Sequence, residues 1–306
     1  MFHSILVPLD GSPFSEQALP LALSIARRAG IPLQVAHAHV SLAPLYADPR
    51  AGFENTLDPK FRAQEQVYLD GVIQRLAKVA PQLVSSALLD GPVPEALLEH
   101  VAARGADLIV MSSHGRGPLS RVWLGSVADH IVRRSSVPVL IVRPREEKAD
   151  VAKDESFEHV IIPLDGSEEA EFIIEPAVAL GRLLDADYTL LRVVEPPVPV
   201  GYDPVTGGMA LAELPSQEEE EARAKIYLDR LAERLRQRAF RVHTCVVTNA
   251  HAAHAIVEES DRQPGSIIAI QTHARRGLAR LLLGSVADKV LRSASVPVLI
   301  SRPHVK

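Results

Sequence analysis

The stretch MSSHGRGPLSRVWLGSVADHIVRRSSVPVLIVRP, residues 111–144, is nearly restated as IQTHARRGLARLLLGSVADKVLRSASVPVLISRP at 270–303. An earlier segment returns as well: ILVPLDGS at 5–12 reappears as VIIPLDGS at 160–167, 155 positions later. The closing segments stand 159 positions apart, so four more residues enter the second copy between them. A period of this length is too great for a solenoid repeat and fits two copies of a whole domain. With 306 residues the chain has the length for two ordinary domains, each burying its own core. Between the copies, REEKADVAKDESFEH (145–159) is charged and poor in apolar residues. It reads as a linker, which places the domains at 1–145 and 156–306.

Within the first copy, SILVPL is a short β-rich run, followed by a helical pattern with Ala18, Ala22, Ile25 and Ala29 on one face and Gly30 as its stop. LQVAHAHV is a second strand, and Asp58-Pro59 opens a helix to about Ala80 as an N-cap and N1 pair. LVSSALL, a helix from about Pro94, ADLIVMSS, a helix opening at Gly125-Ser126, and VPVLIV complete the order β-α-β-α-β-α-β-α-β. Continuous apolar strands alternating with helices predict, in each copy, a doubly wound five-stranded parallel sheet with helices on both faces. Pro20 and Pro176 fall inside the first helical pattern of each copy, which calls for a kink or a later helix start. Aligned by their spacing, the copies pair Asp90-Gly91 with Asn249-Ala250, and Asp107 with Ser266.

Composition removes several classes. A 47% apolar and 23% charged chain with no apolar run near the roughly 18 residues of a membrane span predicts no membrane contact. MFHSILVPLDGS lacks a basic stretch followed by a long apolar one, so it reads as a first strand and the expected location is cytoplasmic. A net charge of -5 argues against nucleic acid as a partner. The single Cys245 excludes a disulfide within the chain and suggests a buried thiol.

In a doubly wound sheet, ligands bind beyond the carboxyl ends of strands where the strand order reverses. That places PLDGS and MSSHGRG side by side. A helix opening at Gly125-Ser126 presents free N–H groups and the positive end of its dipole, which suits an anion. Gly115 and Gly117 permit close backbone approach, Ser126 supplies a hydroxyl, and Arg116 or Arg121 adds charge. A glycine-containing turn and a helix start would leave the same pattern. Asp10 either caps the following helix or bonds a ribose or base edge.

These motifs resemble the universal stress protein family in its tandem form, over nearly the whole chain. The resemblance implies an adenine nucleotide alpha hydrolase-like fold in each domain and ATP as ligand, with Mg2+ as its usual companion. Nucleotide-binding members carry a glycine, two residues, a glycine, nine residues, then Gly-Ser or Gly-Thr. The first copy has Ser112, Gly115 and Gly125-Ser126 at those places; the second has Gln271, Ala274 and Gly284-Ser285. The resemblance implies that Pro8, Leu9 and Asp10 border the adenosine and that the backbone of Ala38 meets the adenine. Met111, Ser112, His114, Gly115, Arg116, Gly125, Ser126 and Val127 would line ribose and phosphates. A second site built on Asp165, Val193, Gly284 and Ser285 would be weakened, altered or empty, although Arg275, Arg276 and Arg280 leave another anion or an acidic partner surface open.

Other signals are weaker. His37 and His39 share a strand face, and His251 and His254 stand three apart, but neither pair has an evident third ligand, so no metal site is expected. His114 lacks an evident carboxylate partner, and no G-x-x-x-x-G-K-[ST] loop occurs, so no catalytic residue is assigned and little hydrolysis is expected. SQEEEEARAKIYLDRLAERLRQR starts with a capping box, Ser216 to Glu219, and reads as a solvated helix. The Pro- and Gly-bearing loops before it and at its counterpart in the first copy suit lids. VPVLIV and VPVLIS read as edge strands through Pro138 and Pro297, and the two copies are expected to pair through them, with a homodimer also open. The expected role is a stress-response switch or interaction module acting on an unidentified protein partner. The rivals are a nucleotide-free interaction protein and a slow ATPase.

Overall fold

The computed structural model describes residues 2–41, 57–113, 124–144, 148–196, 202–203, 208–209, 216–272 and 283–302. The first half contributes β1 (Ile5–Pro8), α1 (Leu19–Ala29), β2 (Leu33–His39), α2 (Leu57–Ala77), β3 (Val84–Asp90), α3 (Val93–Arg104), β4 (Leu108–Ser112), α4 (Ser126–Arg134) and β5 (Val139–Val142). The second contributes β6 (His159–Pro163), α5 (Glu168–Glu171), α6 (Ile174–Leu183), β7 (Asp187–Val194), the short hairpin β8 (Tyr202–Asp203) and β9 (Gly208–Met209), α7 (Gln217–Arg236), β10 (Val242–Thr248), α8 (Ala252–Arg262), β11 (Ser266–Gln271), α9 (Ser285–Ser293) and β12 (Val298–Ser301). Among the described residues no helix is long and apolar enough to cross a membrane.

Both halves have the expected doubly wound parallel order, β3-β2-β1-β4-β5 and β10-β7-β6-β11-β12. They meet through β5 and β12, which pair antiparallel and fuse everything into one ten-stranded sheet. Val139 faces Ile300, Leu140 faces Leu299 and Ile141 faces Val298. These are counterparts 159 positions apart, so a pseudo-twofold axis passes through the Leu140–Leu299 pair. Pro138 and Pro297 precede the two strands, where a missing N–H costs no ladder bond. The strands read as edges are edges of each half and the centre of the whole.

Fusion changes the core. One apolar cluster lies under α1, α2, α6 and α7 and joins Ile5, Ile25 and Leu140 of the first half to Ile162, Leu180 and Leu299 of the second. The other lies under α3, α4, α8 and α9 and joins Ile131 and Ile141 to Val290 and Ile300. The expectation of one core per copy is therefore corrected. Once the edge strands pair, both faces of the sheet continue across the seam and so does the apolar surface that covers them. The charged connection is not a free tether either: Phe157 is buried, the Glu155 N–H donates to Ser24 Oγ at 2.9 Å, and Arg28 pairs with Asp154 at 2.7 Å.

Repeated residues explain the seam. Arg133 binds Asp129 through Nε and Nη2 at 2.7 and 2.9 Å, and Arg292 binds Asp288 at 2.8 and 3.0 Å. Arg133 also stands 3.9 Å from Asp288 across the pseudo-twofold. Arg143 donates to the carbonyls of Leu291 and Ala294 at the end of α9, and its counterpart Arg302 donates to the carbonyl of Arg133 at the end of α4. Each half thus uses a half-buried arginine to satisfy the last carbonyls of the other half's helix.

Local expectations are adjusted in three places. α1 and α6 begin late enough that Pro20 and Pro176 sit in the first turn, where the ring displaces no helical hydrogen bond. Asp10 does not cap a helix that starts directly after it: Gly11 takes φ 82°, the Ser12 N–H donates to Asp10 Oδ1 at 2.9 Å, and a 3-10 turn over Ser15–Ala18 comes before α1. Gly91 and Asn249 donate to the equivalent carbonyls of His39 and Val194, so the true counterparts are Gly91 and Asn249, one position off the spacing-based pairing. The offset is 159 along α2 and α7, where Leu69, Val72 and Leu76 match Leu228, Leu231 and Leu235, falls to 158 at β10 and returns to 159 at β11.

Candidate functional site

The strand order reverses between β1 and β4 and again between β6 and β11, so each half has a crevice where the connections leave in opposite directions. In the first half, Pro8, Ala38 and Met111 stand at the carboxyl ends of three adjacent strands. Side chains alternate along a strand, and Leu6, Ala36 and Met111 belong to the cluster beneath α3 and α4. Pro8 and Ala38 therefore share with Met111 the sheet face over which α4 begins. Ala38 and Met111 are buried, as is Ser112, one position on and directed to the opposite face.

Two hydrogen bonds hold the ends of the connection after β4. Ser113 donates to the Val142 carbonyl at 2.9 Å, and Gly125 donates to the Ser113 carbonyl at 2.8 Å. The second returns the start of α4 to the end of β4. Gly125 is the N-cap at φ -59°, ψ 151°, a conformation open to any residue, and among the described residues no side chain caps the helix. What glycine contributes there is the lack of a side chain over the first N–H groups, beside exposed Ser126 and half-buried Val127. His114, Gly115 and Arg116 lie outside the described residues, as do Gly117, Arg121 and, in the second copy, Ala274, Arg275, Arg276 and Arg280.

On the other side of the crevice the Leu9 N–H donates to the Ala36 carbonyl at 2.8 Å, and Asp10 N–H to Ser15 Oγ at 3.2 Å. Asp10 thus serves the turn through Ser12 and still lies at the crevice. Beneath it, His37 Nδ1 meets the Leu9 carbonyl at 2.9 Å and His37 Nε2 stands 3.4 Å from Glu65 Oε1. His39 Nδ1 is 2.7 Å from Glu65 Oε2, with Asp58 Oδ2 3.3 Å from Nε2.

The shared face of His37 and His39 was visible in the sequence, but their carboxylate partners were missed. Asp58 and Glu65 are seven apart on α2, two helical turns, which sets them on one face. That spacing was the available signal. Burial opposes charging of His39, but Glu65 and Asp58 together outweigh it and hold the histidine above its ordinary value. Among the described residues no group of three or more His, Cys, Asp or Glu side chains is arranged to hold a metal. Cys245 is half-buried rather than fully buried, and burial raises its thiol pKa.

In the second half the corresponding crevice is a cleft of about 770 Å³, counted out to open solvent. Asp165, Val193, Gly284 and Ser285 all line it, together with Gln271. Gly166 repeats the left-handed turn of Gly11 at φ 86°, and Ser167 binds Asp165 Oδ1 through N and Oγ at 3.0 and 2.6 Å. Arg192 replaces His37 and donates to the Leu164 carbonyl at 3.3 Å, the same anchor. The rest of the histidine and carboxylate cluster is gone: Val194, Ala224 and Gln217 stand where the first copy has His39, Glu65 and Asp58.

Comparison with known proteins agrees with this geometry. The universal stress protein family model matches residues 1–143 and 156–302. A universal stress protein of Mycobacterium tuberculosis is 29% identical over 316 residues, spanning 98% of this chain and 97% of that one. One from Thermus aquaticus is 32% identical over 143 residues, covering 47% of this chain and all of its own length. Among solved structures, a universal stress protein from Archaeoglobus fulgidus superposes with a TM-score of 0.68 at 19% identity, covering 98% of both chains, which speaks for the fold alone. With a tandem Rossmann-like architecture and family matches over both halves, the chain belongs to the universal stress protein family.

Proposed function

We propose that the chain binds an adenine nucleotide, ATP accompanied by Mg2+, chiefly in its first half, and that the nucleotide acts as a switch on conformation or partner choice with little hydrolysis. The observation that carries this reading is the return of α4, uncapped and glycine-led, to the crevice beside β1. Free N–H groups at a helix start favour a phosphate, and the buried apolar face of Pro8, Ala38 and Met111 suits a flat base. In this reading Leu9 and Asp10 border the ribose side. The backbone at Ser112, with His114, Gly115, Arg116, Gly125, Ser126 and Val127, follows the phosphates.

Among the described residues Asp129, in the first turn of α4, is bound to Arg133 and Asp10 holds the Gly11 turn, which is why a binding role is preferred to an ATPase. The two units are taken as 1–145 and 156–306, and the cytoplasm is the setting that ATP and a lone half-buried cysteine suit. Equilibrium binding of ATP with Mg2+ to the full chain tests the reading. Gly115→Val is expected to abolish binding and Ala274→Val to leave it unchanged; equal ATP binding by the chain and Gly115→Val would overturn it. Rapid ADP formation would favour the enzyme instead.

A further inference from the structure

The first half fastens the start of α2 by charge, where the second fastens α7 by packing. Between residues 58 and 68 of α2 no apolar side chain is buried: Phe61 and Val67 are 44% and 70% exposed, and the buried apolar contacts begin at Leu69. What meets the sheet along this stretch is polar. Glu65 reaches His37 and His39, Asp58 reaches His39, and Arg62 reaches Asp90 on β3. In the second half the places of Glu65 and His39 are taken by Ala224 and Val194, both buried. Where Arg62 meets Asp90, Thr248 Oγ1 donates instead to Glu221 Oε1 at 2.6 Å.

His39 is buried, and its ring nitrogens are not equivalent. Nδ1 lies 2.7 Å from Glu65 Oε2, a distance a carboxylate holds only against an N–H, so Nδ1 keeps its proton in both charge states of the ring. Nε2 is sealed from solvent and stands 3.3 Å from Asp58 Oδ2 without a formed hydrogen bond, so this contact is one of charge. The proton that leaves His39 on neutralisation is therefore the one on Nε2. Its departure turns a lone pair toward the Asp58 carboxylate, and attraction at the first turn of α2 becomes repulsion. Burial opposes the charged ring, but Glu65 and Asp58 outweigh it and hold His39 above its ordinary value. The other ionisable groups nearby are engaged elsewhere: His37 Nδ1 with the Leu9 carbonyl, Arg62 with Asp90, and Glu16 of the 3-10 turn with Tyr68 and Arg75.

We infer that His39 Nε2 is a proton-operated latch that holds the start of α2, residues 58–64, on β2 beside the first crevice. Protonated, it binds Asp58 and the first turns stay docked. Deprotonated, it releases them, while Glu65 and the apolar anchors from Leu69 onward keep the rest of the helix in place. The direction follows from linkage: docking is complete below the ordinary histidine value of about 6.5 and is lost as pH rises through the folded value. Ala38, at the mouth of the crevice, stands between the two histidines on β2, so the latch sets the footing of one crevice wall. Val194 and Ala224 do not titrate, which makes α7 an internal control. The inference does not depend on what the first crevice binds.

Hydrogen–deuterium exchange of the full chain, read by mass spectrometry at about pH 6 and about pH 9 and corrected for the intrinsic pH dependence of amide exchange, tests this. The amides of residues 61–66 bond back into the first turns of α2 and should lose about tenfold in protection at the higher pH. Their counterparts at 220–225 in α7 should keep theirs. Asp58→Asn removes the charge that faces Nε2, and His39→Gln removes the titrating ring; either should flatten the pH response of residues 61–66, and one is read if the other does not fold. Equal protection of residues 61–66 at both pH values, an equal loss in α7, or a response that survives the substitutions would overturn the inference. Survival in His39→Gln would pass the role to His37.

Discussion

The two copies solve one packing problem differently, and exchanging the solutions should reverse the sign of a mutation. Gly181 in α6 faces Tyr188 in β7; a Cβ added to it would lie 2.6, 2.7 and 2.8 Å from the Tyr188 hydroxyl, Cε1 and Cζ. Their counterparts in the first copy are Ala26 and Leu33, both fully buried. Tyr188 cannot easily yield, since its hydroxyl donates to the Val178 carbonyl at 3.0 Å and its ring packs edge-on to Phe240 at 5.5 Å. Burial also pushes its pKa up to about 12, so the phenol stays neutral. Replacing a helical glycine by alanine stabilises by about 1 kcal/mol in itself, whereas forcing an extra carbon into a packed core costs about 1–3 kcal/mol. Gly181→Ala should therefore destabilise by about 1 kcal/mol, a fall of about 2 °C in Tm for a chain of this size. In a Tyr188→Leu background, which itself loses the hydroxyl bond and the ring contact, the same change recreates the first copy's pair and should stabilise by about 1 kcal/mol. Urea and thermal melts followed by circular dichroism on the four variants measure the coupling, expected near 2 kcal/mol. Equal effects of Gly181→Ala in both backgrounds would refute the argument.

Two further predictions concern the seam and the first half. Arg143→Met removes charged hydrogen bonds to the last carbonyls of α9 and should cost about 2 kcal/mol, visible as a lowered urea midpoint; no change would mean water satisfies those carbonyls equally well. His39 has its folded pKa raised by Glu65 and Asp58 against the opposing effect of burial. Its contribution to stability is thus complete below the ordinary histidine value of about 6.5 and is lost as pH rises through the folded value. The Tm difference between the chain and His39→Gln should be largest near pH 6 and shrink by pH 9, and a difference that grows with pH would contradict the assignment.

How much was legible follows from which forces act locally. Element order, the doubly wound sheets and the pairing of VPVLIV with VPVLIS were readable because hydrophobic runs, glycine stops and an internal repeat encode them directly. Phe157, Ile25 and Ile162 in a single core were not, since a shared core is a consequence of edge pairing and has no periodicity of its own. The crevice location followed from strand order, and Asp165, Val193, Gly284 and Ser285 do line one cleft. Asp10 was assigned to the crevice, but its work in the Gly11 turn depends on φ at one glycine, which spacing does not reveal. The Glu65 and Asp58 partners of His37 and His39 come from an element about 20–30 residues away, and only the seven-residue spacing hinted at their shared face. Gly181 and Tyr188 compensate each other across seven positions, and only superposing the copies exposes the exchange. Gln271 shows in the sequence as a departure from the family's glycine; the burial of its amide is a feature of three-dimensional packing alone.

The central proposal is that the chain binds ATP chiefly in its first half. Mass spectrometry of nucleotide released on denaturing the freshly purified chain, counted per mole of protein, addresses it directly. The account predicts about one ATP per chain. Two per chain would show that Gln271 and Ala274 admit phosphates after all, and none, with no uptake on adding ATP and Mg2+, would contradict nucleotide binding by the first half.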